Sequence, residues 1–264
     1  IYLIARANYR QTLVSFDDGI LQRAWHQNNE YLRLCGVGLC GIVRRPDLGY
    51  YEYRQLRNVA TLRAYSMADS LGTPRPKNVT TIKPGGTIPK IMDTTEGASM
   101  PLGKYFFNNV NFSEHDPMVG VLQAAGYRTM HNPTEASVLV TFPVSYEDVP
   151  FQKVDGKYVN NEGAIAQLER YRMLMASYVD QNASTTIHYK DEEVPEVRAW
   201  IKKHWSNYVG VSFMRKADAT KSARELGHLY LPQEVVGEED FRAYEQGLKP
   251  VVLDVEGVFD PMAA

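Results

Sequence analysis

Cysteine is scarce: the chain has two, Cys35 and Cys40, too few for a disulfide framework and without the two-residue spacing of a redox dithiol. As residues in an apolar glycine-rich stretch, both are expected to be small buried hydrophobes. The six histidines are scattered with no spaced pair, so no metal site is expected. No stretch approaches the roughly 18 to 20 apolar residues of a membrane span, and the first thirty residues lack the pattern of a secretory leader. The chain opens at Ile1 rather than Met, which fits a segment of a longer protein or a processed one. Basic charge has no surplus, with 29 Lys and Arg against 31 Asp and Glu and a net charge of -2. A nucleic-acid-coating role is thereby excluded. These absences leave no nucleic-acid and no membrane partner in prospect, and point to a reducing compartment, the cytoplasm, or a host's cytoplasm if the source is viral.

What is present suffices for a substantial core, since 44% of 264 residues are hydrophobic. Apolar residues recur at helical spacing from Asp17 to Arg33, with Asp17 or Asp18 as caps. They recur again from Tyr53 to Leu71, where Gly72, Pro74 and Pro76 stop the helix. Val79–Ile82 is β-branched throughout and precedes a stretch, Lys83–Thr87, that only a loop accommodates, with a helix starting near Pro89. Val138–Phe142 reads as a strand closed by Pro143. Phe151–Glu162 reads as an exposed excursion with a turn at Asp155-Gly156. Helix is expected over Ala164–Tyr178, strand over Ser184–Tyr189, helix over Val194–Trp205 with the acidic run Asp191–Glu193 at its entrance, and strand over Tyr208–Met214. A helix joining two strands implies parallel pairing, so the predicted class is α/β with active residues beyond the strands' carboxyl ends.

Two glycine clusters compete as binding sites. Gly36-Val-Gly-Leu-Cys-Gly41 matches the dinucleotide-binding spacing, but that chemistry needs a strand before the glycines and a helix opening after them. Here a helical pattern precedes and Arg44-Arg45-Pro46 follows, so close backbone packing is the expected role. Lys83-Pro84-Gly85-Gly86-Thr87-Ile88 is the sharper signal. Bare backbone there lets successive N–H groups converge on phosphate oxygens, with the Thr87 hydroxyl and a helix start adding donors. From spacing alone, a plain turn is an equal reading.

Resemblance separates them. Thr80–Ile88 with Asp93–Gly97 after it resembles the phosphate-loop region of adenosylcobalamin-dependent (class II) ribonucleotide reductases. In the same order, Tyr178–Ser184 is similar to that family's Asp-Gln segment, Tyr208–Phe213 to its late barrel strand, and Tyr230–Val236 to its C-terminal region. Upstream, Asn28–Glu30 through Gly36–Ile42 is similar to its helix and glycine turn. The resemblance implies an α/β fold forming the second half of a ten-stranded barrel over residues 1–250, with residues 251–264 as a tail. The barrel would be completed by an N-terminal half on another segment or chain. It also implies that Lys83, Pro84, Gly85, Gly86, Thr87 and Ile88 hold the substrate's phosphates, through backbone donors chiefly, with Lys83 as an electrostatic helper.

The departures are as specific. The family's radical cysteine stands in an Asn-x-Cys-x-Glu context, whereas Cys35 and Cys40 each stand in Leu-Cys-Gly. The catalytic cysteine and its glutamate are therefore expected on the N-terminal half, a partner, and catalytic residues in this chain are unknown. Leu253–Ala264 lacks the family's reducing cysteine pair, so a small thiol or thioredoxin-like reductant is expected. Val211-Ser212-Phe213 replaces the adjacent tyrosines of iron-dependent relatives, which points to a radical generated locally with adenosylcobalamin. The implied reaction converts a ribonucleotide, diphosphate or triphosphate, to its 2'-deoxy form. A thiyl radical takes the ribose 3' hydrogen and the 2' hydroxyl leaves as water. The alternatives are a noncatalytic phosphate-binding or assembly subunit of the same fold, and an NAD-type oxidoreductase using Gly36 to Gly41. A half barrel would expose sheet edges and apolar strand faces.

Overall fold

The computed structural model describes residues 1–16, 19, 21–132 and 135–251. Its elements in chain order begin with helices α1 (Tyr2–Gln11), α2 (Arg23–Leu32), α3 (Tyr50–Ser70) and the short α4 (Ile88–Ile91). Strand β1 (Tyr105–Ser113), helix α5 (Pro117–Ala124) and strands β2 (Thr129–Asn132), β3 (Ser137–Ser145), β4 (Gln152–Val154) and β5 (Lys157–Val159) follow. Then come helix α6 (Ala164–Ser177), strand β6 (Thr186–Tyr189), helix α7 (Val194–Lys203), strands β7 (Ser212–Arg215) and β8 (Gln233–Val235), and helix α8 (Glu238–Gln246). They fall into two compact units, Ile1–Pro101 with Asn161–Ala217, and Leu102–Asn160 with Asp218–Ala264.

The first unit is α/β and parallel. Extended backbone at Val37 bridges Thr80, Ile82 bridges Ala183, and β6 pairs with β7, every pairing parallel. The ladder is continuous through Val37 N–H to Val79 O at 2.9 Å, Ser184 N–H to Ile82 O at 3.0 Å and Ser212 N–H to Thr185 O at 3.2 Å. Successive extended segments are thus neighbours, with α3, α6 and α7 in the connections between them. This is the arrangement of a parallel sheet wound in one direction. Helix α3 packs against α1 and α6. Tyr53 of α3 joins Leu168, Tyr171 and Leu174 of α6 in one core, while Ala60, Ala64 and Met67 of α3 join Ala5 and Tyr9 of α1 in another. At its far end the sheet is bare: all four residues of β7 are exposed. A parallel strand is ordinarily covered on both faces, so β7 leaves Phe213 and Met214 unburied.

The second unit is antiparallel, with strand order β2-β3-β1-β8. Tyr105, Phe107, Val236, Phe241 and Tyr244 form its aromatic core. The excursion at Phe151–Glu162 contains the β4–β5 hairpin, turned at Asp155 (φ 49°) and Gly156 (φ 80°). Those positive angles suit the tight hairpin turns that favour Asp-Gly.

Boundaries differ from expectation for local reasons. Helix α3 begins at Tyr50 because the Glu52 carboxylate takes the Gly49 N–H at 2.9 Å and caps the first turn. Strand β3 does not stop at Pro143 but runs to Ser145. Thr141 N–H points to the β2 side, toward Arg128 O at 3.0 Å. Pro143 points the same way but lies beyond the β2 pairing, where no donor is needed. Helix α2 starts only at Arg23; the expected caps Asp17 and Asp18, and residues 252–264 of the tail, lie outside the described residues.

Candidate functional site

Parallel strands place their carboxyl ends together, and the chain leaves Ile82 at that end of the sheet. Ile82 is 1% exposed, whereas Lys83, Pro84, Gly86, Thr87 and Ile88 are exposed, Gly85 is half-buried, and Pro89 is buried as the anchor of α4. The six residues singled out in the sequence therefore form one surface crook leading into a helix start. Gly85 N–H donates to Lys83 O at 2.9 Å. Among the described residues, the N–H groups of Gly86, Thr87 and Ile88, the Thr87 hydroxyl and the Lys83 ammonium have no acceptor. Consecutive free donors at a helix start suit an anion.

Gly86 is informative because the fold does not require it. Its φ is not in the left-handed region, and a Cβ there would meet nothing within 4 Å. Bareness at such a position matters only to something approaching from outside. Gly85 is tighter, a Cβ meeting the Pro89 ring at 3.2 Å.

Sequence reasoning named the segments Asp93–Gly97 and Tyr178–Ser184 but gave their residues no part in holding the crook, and it did not name Lys90. Gly97 has φ 46°, and a Cβ there would stand 2.7 Å from Lys83 O, so the segment after α4 closes directly onto the loop's first residue. The Lys90 ammonium donates to Gly86 O at 2.7 Å and pairs with Glu96. Thr94 N–H donates to Pro89 O at 2.8 Å. Beneath, the Asp180 carboxylate accepts from Val79 N–H at 2.8 Å and Thr80 N–H at 3.1 Å and pairs with Arg57. The Thr80 hydroxyl donates to Tyr178 O at 2.6 Å, so the Asp-Gln segment bolts down the strand that feeds the loop. At the carboxyl ends of β6 and β7, burial holds both His188 and Lys216 below their ordinary ranges, and the Lys216 charge lowers His188 further.

The Gly36–Gly41 cluster packs rather than cradles. Val37 pairs with Thr80, Gly41 has φ 72° and a Cβ there would meet Thr94 Oγ1 at 2.5 Å, and only a 3-10 turn, Ile42–Arg44, follows. The expectation for the cysteines is half corrected: Cys35 is buried on the helical side of the sheet, but Cys40 is exposed. Burial pushes the Cys35 thiol up to about 11, which keeps it protonated and unreactive. A disulfide-exchange reagent is expected to modify one thiol per native chain at neutral pH, and both in denaturant. Rapid native modification of both would contradict this packing. Between the ordinary 9.0 and about 11 the native thiol keeps a proton that the unfolded one loses, so the Cys35 contribution to stability falls as pH rises through that window.

The second unit holds a 460 Å³ cavity lined by Phe107, Arg128, Asp240 and Tyr244 among others. The Arg128 guanidinium lies 4.0 Å from the Tyr244 ring centroid and 4.7 Å from that of Phe107. Among the described residues no group of three or more His, Cys, Asp or Glu is placed to hold a metal ion, and no helix is long and apolar enough to cross a membrane.

No family model matches the chain. Among curated proteins it is similar to the adenosylcobalamin-dependent ribonucleoside-triphosphate reductase of Lactobacillus leichmannii, 26% identical over 222 residues, which are 80% of this chain and 28% of that protein. It is also similar to the enzyme of that name from Lacticaseibacillus paracasei, 25% identical over 199 residues, covering 74% and 24%. A probable reductase of the same kind from Dictyostelium discoideum is 23% identical over 188 residues, covering 69% and 23%. Among solved structures, a B12-dependent (class II) ribonucleotide reductase matches with a TM-score of 0.74 at 21% identity, over 99% of this chain and 39% of that one. The chain thus resembles class II ribonucleotide reductases in sequence and shares its fold with part of one, and it spans about a quarter of the length of the curated relatives it matches.

Proposed function

We propose that this chain is the portion of a class II ribonucleotide reductase that grips the substrate's phosphates, and that ribonucleotide reduction is completed with a remainder lying outside it. The observation that carries this reading is the exposed crook at Lys83–Ile88, whose free donors follow a glycine that the fold does not need. Gly86, Thr87 and Ile88 donate backbone N–H groups to phosphate oxygens, and the Lys83 ammonium adds charge. Fixing the remote phosphates orients the ribose, so binding energy far from the reacting carbons lowers the chemical barrier.

In this reading β7, with both faces exposed, lies where the remainder of a ten-stranded barrel docks. That remainder supplies the radical cysteine and its glutamate, since Cys35 is buried away from the crook's end of the sheet and Cys40 stands in the packed glycine turn. Reducing equivalents come from an external thiol. The cofactor in the relatives' names is a corrinoid, and the 460 Å³ cavity of the second unit is too small for one. No residue of this chain is assigned to it and no step is derived through it.

The test is reconstitution. The chain mixed with the remainder of the barrel, adenosylcobalamin and a dithiol should form deoxynucleotide from ribonucleoside triphosphate. Gly86→Val should leave folding stability within about 0.5 kcal/mol of the parent, because nothing crowds that position. It should raise KM about tenfold or more by blocking phosphate approach. Failure to reduce any ribonucleotide would overturn the reading.

A further inference from the structure

The free donors of the crook are useful only if they point outward, and the local backbone at Gly86 does little to enforce that. Each peptide unit is planar and trans, so its carbonyl and the following N–H point in opposite directions. The Gly86 carbonyl and the Thr87 N–H belong to one such unit. Its orientation is set by ψ of Gly86, a residue without steric preference and with no neighbour within 4 Å of where a Cβ would be. Thr87 offers partial resistance, because a full flip would carry its φ from −106° to positive values. Smaller swings are unopposed by it.

The Lys90 ammonium lies on the other side of this unit. It donates to Gly86 O at 2.7 Å, is held in place by Glu96, and its side chain is only 10% exposed. We propose that Lys90 is a positioning residue that locks the Gly86–Thr87 peptide with its carbonyl turned inward and its N–H presented to an incoming polyphosphate. A carbonyl swung outward would set a negative dipole against the anion and remove one of three consecutive donors. By taking the carbonyl, Lys90 excludes that arrangement before any ligand arrives. Its own charge is partly neutralised by Glu96, so its main effect is on the peptide's direction rather than on the phosphate. The consequence for substrate rests on the phosphate-loop reading, whereas the lock itself is a property of the unliganded chain.

The two are therefore separable by experiment. Residual dipolar couplings of the ¹⁵N-labelled full chain, without any anion, report the direction of the Thr87 N–H vector. Lys90→Met is expected to shift or average down the Thr87 coupling while those of Ile82 and Ile187 in the sheet stay as they are, and Lys90→Arg is expected to restore it. An unaltered Thr87 coupling in Lys90→Met would overturn the lock. Titration with inorganic tripolyphosphate should then show binding about tenfold weaker in Lys90→Met than in the parent. If the Thr87 vector moves but the parent does not bind tripolyphosphate, the lock stands and the phosphate reading falls. If the parent binds and Lys90→Met binds equally well with an unmoved vector, only the lock falls.

Discussion

Gly97→Ala is expected to unseat the loop and cost about 2 to 4 kcal/mol, read as a lower urea midpoint. Two effects add. The φ of 46° is a left-handed value that an L side chain adopts at a penalty, and the new methyl would stand 2.7 Å from Lys83 O, closer than such atoms approach. The obstacle is backbone, so it cannot rotate away, and either the Lys83 carbonyl or the Gly97 turn must move. Lys83 opens the crook, so the substitution should also abolish polyphosphate binding, unlike Gly86→Val, which leaves the fold intact. A Gly97→Ala chain as stable as the parent would show that the closure onto Lys83 is not present in solution.

Asp180→Ala should be comparably severe, at about 3 kcal/mol. Its carboxylate takes two consecutive strand N–H groups, Val79 and Thr80, and pairs with Arg57. Removal leaves two amides and a guanidinium without their acceptor, at 16% and 26% side-chain exposure for Asp180 and Arg57. Asp180→Asn keeps one carbonyl oxygen for the amides and should lose less. Urea denaturation of both variants checks the order. Equal losses would mean that the charge pair with Arg57, rather than the amide contacts, carries the effect.

Helices with a periodic apolar face were legible in the chain. The spacing in α6 places Leu168, Tyr171 and Leu174 on a face that is buried, whereas that in α3 buries Tyr53, Ala60, Ala64 and Met67 but leaves Val59 and Leu62 exposed, and the apolar residues Trp25 and Tyr31 of α2 are exposed. Helix α1 was not legible, since it has neither a capping side chain nor an acidic first turn. Strand β1 was not either, because three asparagines interrupt it. Asn109 is satisfied across the sheet by the Thr141 hydroxyl and by Leu231 O, each at 2.7 Å, and Asn111 Oδ1 accepts from Asn132 and Ser137. Those partners come from tertiary pairing, which no local pattern announces. The candidate site divides the same way. Lys83–Ile88 stands out as adjacent glycines after a β-branched run, which spacing alone reads equally as an anion loop or a plain turn and which the resemblance singles out as the former. The contacts of Gly97 on Lys83, of Lys90 on Gly86 and of Asp180 on Val79 have no spacing signature, since each depends on where the chain returns.

The central claim is that backbone donors of the exposed crook bind a nucleotide's phosphates. Its most direct measurement is an amide-resolved NMR titration of the full chain with a ribonucleoside triphosphate. The account predicts saturable shifts at Gly86, Thr87 and Ile88, reproduced by tripolyphosphate and absent with the unphosphorylated nucleoside. Shifts confined to Gly36–Gly41 or to the cavity around Arg128, with the crook silent, would contradict it.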